Sequence, residues 1–209
     1  YGTLNKNKNN AVLAFHALTG DQFVTNINPV TKREGWWSFA VGPGKAIDSN
    51  KYFVICANVL GGCMGSFGPN QINPETNKIF STSFPVITIK DIVRAQSYLL
   101  EHLGINKLLA VAGGSMGGMQ ALEWGVSFPE NVNLVIPIAT SYRHTAQNIA
   151  LHEVGRQAIK NDPCWEKGQY MNTSKSPEKG LAAARMVAHI TYMSEKSLSN
   201  KFGRNKKSH

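Results

Sequence analysis

The sequence has few cysteines and no long apolar run, and each shortage excludes a class of protein. Its three cysteines, Cys56, Cys63 and Cys164, include no C-x-x-C pair, which argues against a disulfide scaffold or a zinc knuckle. No apolar run approaches the roughly 20 residues that a membrane-spanning helix needs, and residues 1–10 are polar, unlike a secretory signal. We therefore expect no bound metal, no membrane association and a reducing, cytoplasmic location.

Acidic residues are also scarce, which leaves a formal net charge of +9. Residues 151–209 contain eleven Lys and Arg against five Asp and Glu. Because these charges are scattered and no RNA- or DNA-binding motif accompanies them, we expect no nucleic-acid partner. A positive chain would, however, attract a polyanionic substrate such as an acyl-CoA.

Four apolar runs bounded by turn residues are predicted to be strands: Ala11–Phe15, 52–57, 108–112 and 134–138. Each is nearly continuous, which is typical of a strand buried on both faces. Between them, residues 88–103 repeat apolar positions at helical spacing, and the Gly-, Asn-, Pro- and Ser-rich stretch 59–85 is predicted to be a long irregular connection. This alternation predicts an α/β fold with a mostly parallel sheet and flanking helices.

The character of the chain changes after residue 138. Helical periods recur at 144–159 and 181–193, with no further convincing strand. We therefore predict two domains, a partial α/β core at residues 1–143 and a partial helical lid at residues 144–209.

Residues 113–117, Gly-Gly-Ser-Met-Gly, match the pattern G-x-S-x-G. The pattern alone is common, but here it follows a predicted strand and opens a helical pattern, the context in which a nucleophilic serine occurs. A strand that turns at once into a helix needs small neighbours, which the glycines supply, and the following helix directs its N–H groups at a developing oxyanion. Ser115 is therefore the predicted nucleophile.

The first predicted strand runs directly into His-Ala-Leu-Thr-Gly at residues 16–20, where this type of fold supplies one N–H of the oxyanion hole. We assign the two donors to the backbone N–H groups of Leu18 and Met116. His16 precedes Ser115, an order that this fold does not use for its catalytic histidine, so we expect it to shape the loop.

A serine nucleophile needs a general base and an orienting carboxylate, which in this fold follow it in the chain. Asp162 and His189 satisfy that order, but Asp162 lies in a turn between helices and His189 lies inside a helical period. We expect structural roles for both. The simpler interpretation is that the chain is a fragment of a longer enzyme, with the acid and base on later strands.

Several long blocks of the sequence resemble homoserine O-acetyltransferase, an α/β-hydrolase family of methionine biosynthesis. They include HALTGD at 16–21, VGPGKAID at 41–48, FVICANVLGGCMGSFGP at 53–69, GGSMGGMQALEW at 113–124 and ARMVAHITYMSE at 184–195. The resemblance covers nearly the whole chain. It implies an α/β-hydrolase fold with the start of a helical lid, packing roles for the thiols of Cys56 and Cys63, and a catalytic Asp and His beyond residue 209.

The resemblance further implies an acyltransferase that works by a ping-pong route. Ser115 would take an acetyl group from acetyl-CoA, a co-substrate rather than a permanently bound cofactor, and pass it to the hydroxyl of L-homoserine. Arg185 in the lid would hold the carboxylate of homoserine, Tyr192 would be a second substrate contact, and the full-length protein would form a homodimer through the lid. Open alternatives are homoserine or serine O-succinyltransferase, an esterase or lipase, and a catalytically incomplete fragment.

Overall fold

A computed structural model of the chain describes residues 1–204, except for the side chain of Asn172. These residues form two compact units. The first consists of Tyr1–Asn77 and Phe84–Tyr142, and the second of Lys78–Ser83 and the chain from Arg143 onward. The predicted division placed residues 78–83 in the core, whereas they cluster with the second unit.

In the described residues six strands come first, two helices then alternate with the last two strands, and helices alone follow. Short 3-10 helices occur at Ser81–Ser83, Pro129–Asn131 and Pro163–Asn172. The remaining elements, in chain order, are β1 (Ala11–Phe15), β2 (Val41–Gly42), β3 (Ile47–Asp48), β4 (Phe53–Ile55), β5 (Ile72–Asn73), β6 (Lys78–Ile79), α1 (Ile89–His102), β7 (Leu108–Gly114), α2 (Met116–Ser127), β8 (Val132–Ile138), α3 (Ala146–Lys160), α4 (Glu178–Tyr192) and α5 (Glu195–Phe202).

The four predicted strands form one parallel sheet in the order β4-β1-β7-β8. Phe15 pairs with Gly113, and Gly113 pairs with Pro137, so the carboxyl ends of β1, β7 and β8 are level with one another. In α/β sheets ligands bind beyond the carboxyl ends of the strands. The sequence-based prediction of a parallel sheet is confirmed, and its register brings the ends of three strands to one place.

The larger of two core clusters in the first unit lies between this sheet and helices α1 and α2, and the smaller one consists of Ala14, Val24, Val41 and Val54. All five residues of β1 are buried, which explains its continuous apolar run. Helix α1 begins at a capping box in which the Thr88 hydroxyl and the Asp91 carboxylate each accept a backbone N–H of the other residue. It is followed by Gly104, whose φ of 66° suits a glycine. Trp124 of α2 is buried against the ring of Phe15.

The prediction that the last strand is buried on both faces is wrong for the described structure. Only Val132 of β8 is buried, and Leu134, Val135, Ile136 and Ile138 are exposed. Among the described residues β8 lies at the edge of the sheet and pairs only with β7, and its faces are less covered than those of β4, the other edge strand, whose Val54 and Ile55 are buried. The strand also begins two residues earlier than expected, and the second strand is shorter than predicted.

Apart from β6 in its segment 78–83, the second unit contains helices and their connections, in agreement with the predicted absence of strands after residue 138 for residues 143–204. Helices α3 and α4 approach each other closely, since a Cβ on Gly180 would lie 2.5 Å from the carbonyl oxygen of Ala158. The Asp162 carboxylate accepts the backbone N–H groups of Cys164 and Gly180, both at 2.8 Å. Among residues 1–204, no helix is both long enough and apolar enough to cross a membrane.

Candidate active site

The predicted nucleophile, Ser115, is the single residue between the end of β7 and the start of α2, and we call this turn the elbow. Its backbone has φ 55° and ψ −120°, a conformation that costs a residue other than glycine about 1–3 kcal/mol. The side chain is exposed and makes no hydrogen bond to the first turn of α2. The strained turn therefore presents the hydroxyl outward, as a nucleophile requires.

Glycines at two positions of the motif allow this turn to form. A Cβ on Gly113 would lie 2.5 Å from the backbone of Gly117 and 2.8 Å from the carbonyl oxygen of Phe15. A Cβ on Gly117 would overlap the same Phe15 carbonyl. Both contacts are with backbone atoms, which cannot rotate away, so the start of α2 can lie against the end of β1 only if these positions lack side chains.

The elbow is also held from the side of β8. The Ser115 N–H donates to the carbonyl oxygen of Ile138 at 3.0 Å, and the Thr140 hydroxyl donates to the carbonyl oxygen of Ser115 at 2.7 Å. Gly118 leaves room for Thr140, since a Cβ there would lie 2.6 Å from the Thr140 Cβ. Both backbone polar groups of Ser115 thus have partners beyond β7, and these bonds stabilise the strained conformation.

The proposed oxyanion donors, Leu18 and Met116, line one cavity of about 400 Å³ in the first unit. Met116 is the first residue of α2, where backbone N–H groups have no partner within the helix and the helix dipole favours negative charge. Within residues 1–204, neither the Leu18 N–H nor the Met116 N–H is taken up by a backbone carbonyl outside a helix or strand. Their role as oxyanion donors stays a prediction.

His16 is buried at the end of β1, and both of its ring nitrogens have backbone partners. Nδ1 lies 2.8 Å from the carbonyl oxygen of Ala17, and Nε2 accepts the N–H of Val59 at 3.1 Å. These partners require the neutral ring with its proton on Nδ1. His16 is therefore not free to act as a base, and it ties the loop after β1 to the connection after β4, as the predicted loop-shaping role requires.

Burial lowers the pKa of His16 from its ordinary value of 6.5, and the Ala17 carbonyl opposes this shift. The unfolded chain therefore takes up the proton first as the pH falls. The contribution of neutral His16 to stability should be complete above pH 6.5, should decline below it, and should be lost once the pH is below the lowered folded-state pKa. Urea unfolding of the full-length protein at a series of pH values would measure this slope, at most about 1.4 kcal/mol per pH unit.

His16→Gln is the matched variant for that measurement, because its amide oxygen can accept the Val59 N–H but cannot titrate. The slope in this pH range should be smaller in His16→Gln than in the wild type. Equal slopes in the two proteins would assign the pH dependence to other groups.

The cavity is mostly apolar apart from its backbone groups, and its walls include Val59, Leu60 and Ile92. Cys63 lies in the same wall and is exposed, so the prediction that it is a packing thiol is wrong. The Gly-rich connection carries it to the surface rather than into the core. Cys56 is half-buried, donates to the carbonyl oxygen of Asp21 at 3.6 Å, and burial raises its pKa to about 12.

The other predicted site residues lie in the second unit. Arg185 and Tyr192 are seven residues apart on α4, and both are exposed. The guanidinium of Arg185 and the phenol of Tyr192 are therefore accessible. Asp162 uses its two carboxylate oxygens as caps for backbone N–H groups, which lowers its pKa. This is the structural role expected for it. The substrate-binding roles of Arg185 and Tyr192 stay predictions.

Three residues near the elbow were missed at the sequence level: Thr140, Gln96 and Gln120. The signal for the glutamines was present, because each is a polar residue at a position of the helix pattern that is otherwise apolar and buried. Such a residue needs a hydrogen-bond partner inside the core. Its partner could not be identified from spacing along one helix.

The model of the α/β hydrolase fold family matches residues 10–208. Together with the parallel sheet and the serine elbow, this shows that the chain belongs to the α/β hydrolase family.

Among curated relatives, the homoserine O-acetyltransferase of Pelagibacter ubique is 63% identical over 204 residues, which are 98% of this chain and 55% of that protein. The crystal structure of homoserine O-acetyltransferase from Bacillus anthracis superposes with a TM-score of 0.90 at 33% identity and covers 100% of this chain and 57% of its own. Esterase E22 superposes with a TM-score of 0.86 at 34% identity, covering 100% of this chain and 59% of its own. The chain thus spans about half the length of these relatives.

Proposed function

We propose that the protein is a homoserine O-acetyltransferase in which Ser115 carries the acetyl group. The observation that supports this most is the combination of an exposed serine on a strained elbow with 63% identity to a homoserine O-acetyltransferase over nearly the whole chain. The relative's name supplies the acceptor and the acetyl group, and the elbow supplies the chemistry by which one acyl group is held and then passed on.

In the first half-reaction, the Ser115 hydroxyl attacks the thioester carbonyl of acetyl-CoA. The carbonyl oxygen becomes an oxyanion, which the N–H groups of Leu18 and Met116 stabilise. When this intermediate collapses, the C–S bond breaks, CoA leaves as its thiol and Ser115 is left acetylated. The proton of the serine passes through a histidine to the leaving sulfur. That histidine and its aspartate are proposed to lie beyond residue 209, as the resemblance implies.

In the second half-reaction, the hydroxyl oxygen of L-homoserine attacks the carbonyl carbon of the acetyl-serine ester. The bond from that carbon to the Ser115 Oγ then breaks, the proton of the homoserine hydroxyl passes through the same histidine to Ser115, and O-acetyl-L-homoserine leaves. The same donors stabilise the second oxyanion. We propose that the exposed guanidinium of Arg185 binds the carboxylate of homoserine, for which its planar fork is suited, and that Tyr192 is a further contact. The proposal includes acetyl-CoA and homoserine as partners, a homodimer formed through the helical segment, and the cytoplasm as the location.

Ester hydrolysis is the second candidate, because esterase E22 is as similar to this chain in sequence as the Bacillus anthracis transferase is. A hydrolase and a transferase can share the same elbow and oxyanion hole. They differ in whether water or the acceptor reaches the acyl-enzyme, which depends on exclusion of water and positioning of the acceptor.

The deciding experiment is a partition assay on the full-length protein. Acetyl-CoA or succinyl-CoA is supplied with homoserine, with serine or with no acceptor, and both CoA release and the acylated product are measured. We expect acetyl transfer to homoserine to exceed hydrolysis by at least about 100-fold, the scale on which a well-positioned acceptor outcompetes water. Hydrolysis as fast as transfer would favour the esterase, and preference for succinyl-CoA or serine would reassign the substrates.

A matched pair of variants on α4 separates the acceptor site from the elbow. Arg185→Lys keeps the charge but loses the bidentate geometry, so it should raise the KM for homoserine by about 10-fold or more. The rate of acetylation of Ser115 by acetyl-CoA should not change. An unchanged KM in Arg185→Lys and also in Arg185→Ala would remove Arg185 from the proposed site.

A further inference from the structure

Two glutamine side chains lie inside the otherwise apolar core of the first unit. Gln96 on α1 is 4% exposed and Gln120 on α2 is 0% exposed. The Gln96 Nε2 donates to the Gln120 Oε1 at 3.2 Å. Burial of an amide costs free energy unless its groups are hydrogen-bonded. The hydrogen-bond partners of the two glutamines therefore identify the parts of the structure that they stabilise.

Both hydrogens of the Gln120 Nε2 group are directed at backbone carbonyls. One accepting oxygen belongs to His16, at 3.2 Å, and the other to Met116, at 3.3 Å. His16 begins the loop that carries Leu18, and Met116 begins helix α2. Gln120 thus bonds to the first residue of its own helix, Met116, and across to the loop that carries Leu18, so that its side chain joins the start of α2 to that loop.

We propose that Gln120 is a positioning residue that holds these two segments at the spacing the oxyanion requires, and that Gln96 orients its amide. This inference rests on the proposed function only in taking Leu18 and Met116 as the oxyanion donors. It does not depend on which acyl group is transferred or on the acceptor.

The part played by Gln96 follows from the chemistry of the amide. An amide has a donor end and an acceptor end, and Gln120 can clamp two carbonyls only if its Nε2 end faces them. The carbonyl oxygens of His16 and Met116 require this orientation. The Gln96 Nε2 group supports it by donating to the Oε1 end on the side of α1, while the Gln96 Oε1 has no hydrogen-bond partner among the described residues. A reversed Gln120 would place its oxygen against two carbonyl oxygens and its NH₂ against another NH₂, so the pair has one favourable arrangement.

The loop after β1 is held on its other side by His16, whose ring accepts the Val59 N–H. Two contacts therefore fix the start of this loop, one from Gln120 to the backbone carbonyl of His16 and the other from Val59 to the ring of His16. Oxyanion stabilisation depends on donors that are in place before the reaction begins. Small displacements of these donors lower the rate strongly.

The test compares two esters that differ in the atom that becomes the anion. The full-length wild type and Gln120→Met, which conserves volume and removes the amide, are assayed with p-nitrophenyl acetate and with p-nitrophenyl thionoacetate. Sulfur is a larger and weaker hydrogen-bond acceptor than oxygen, so a correctly spaced oxyanion hole favours the oxygen ester. In Gln120→Met we expect kcat/KM for the oxygen ester to fall about 10- to 100-fold and the oxygen-to-sulfur preference to fall with it.

Two further variants make the outcome decisive. Val93→Ala creates a cavity in the same core, at a 0% exposed residue of α1, and should lower thermal stability while keeping the wild-type preference for the oxygen ester. Gln96→Met keeps Gln120 but removes its orienting partner, and should lower the preference by a smaller factor, about 3- to 10-fold. If Gln120→Met does not fold, the oxygen-to-sulfur preference of Gln96→Met alone decides the test.

An unchanged oxygen-to-sulfur preference in the folded glutamine variants would overturn the proposal, and so would an equal loss of preference in Val93→Ala. The aryl esters need Ser115, its general base and the oxyanion hole, but no homoserine. Failure of the wild type to acetylate homoserine would therefore count against the proposed acceptor. The positioning role of Gln120 would still be tested by the oxygen-to-sulfur preference.

Discussion

Ser115→Ala is expected to abolish formation of the acyl-enzyme and to lower acyl transfer by at least about 10⁴-fold, as loss of a serine nucleophile does in other enzymes. The physical reason is direct, because the alanine has no oxygen to form the ester. The fold should survive, since alanine and serine carry the same strain at φ 55°, and the bonds that hold the elbow involve only the backbone of residue 115.

Intact mass spectrometry after incubation of the full-length protein with acetyl-CoA measures this prediction as the gain of one acetyl group. Ser97→Ala is the matched control, because the Ser97 hydroxyl on α1 donates to the carbonyl oxygen of Arg94 in its own helix. It should acetylate as the wild type does. Acetylation that persists in Ser115→Ala would place the nucleophile at another residue.

Gly113→Ala is expected to cause a large loss of stability. Its Cβ would lie 2.5 Å from the backbone of Gly117 and 2.8 Å from the carbonyl oxygen of Phe15, so either α2 or β1 must shift. Overpacking of this kind costs about 3 kcal/mol, the upper part of the usual range, because the atoms it meets are backbone and cannot change rotamer. Urea unfolding of the full-length protein would measure the difference.

The neighbouring glycine provides the control for that prediction. A Cβ on Gly114 would meet nothing closer than the carbonyl oxygen of Ile138 at 3.9 Å, an ordinary contact distance. Gly114→Ala should therefore change the free energy of unfolding by less than about 1 kcal/mol. Equal destabilisation by the two substitutions would contradict the prediction. It would mean that Gly113 is not required for the close approach of β7, α2 and β1.

The edge strand β8 shows a limit of the sequence-based prediction. Its run of apolar residues predicted burial on both faces, and its location as a strand was confirmed. Its exposure was not predicted, because the pattern of one strand reports what the residues favour and does not report which neighbours cover them. In the described structure only β7 lies beside it.

The buried contacts around the elbow show a second limit. The bond from Gln120 to the carbonyl oxygen of His16 joins residues 104 positions apart, and the bond from Val59 to His16 joins residues 43 positions apart. Neither separation produces a periodic signal. A polar residue in an apolar helix stripe indicates that some partner exists, but only the packing of α1, α2 and β1 identifies it.

The features that the sequence by itself determined are those with local causes. The strand before Ser115, the glycines around it and the helix after it lie within about 20 residues, and short-range sterics alone require them in that order. The cap of α1 at Thr88 and the apolar run of β1 are of the same kind. The position of the nucleophile and the parallel sheet follow from such patterns.

Only the tertiary structure decided how the elbow is held. It brought Thr140 to the carbonyl of Ser115, His16 to Val59, and Gln120 to the carbonyl of His16. It also assigned Asp162 to capping and exposed Cys63. These outcomes depend on which distant segments pack together, because a hydrogen bond requires two groups within about 3 Å, and that proximity is created by the fold rather than by neighbouring residues.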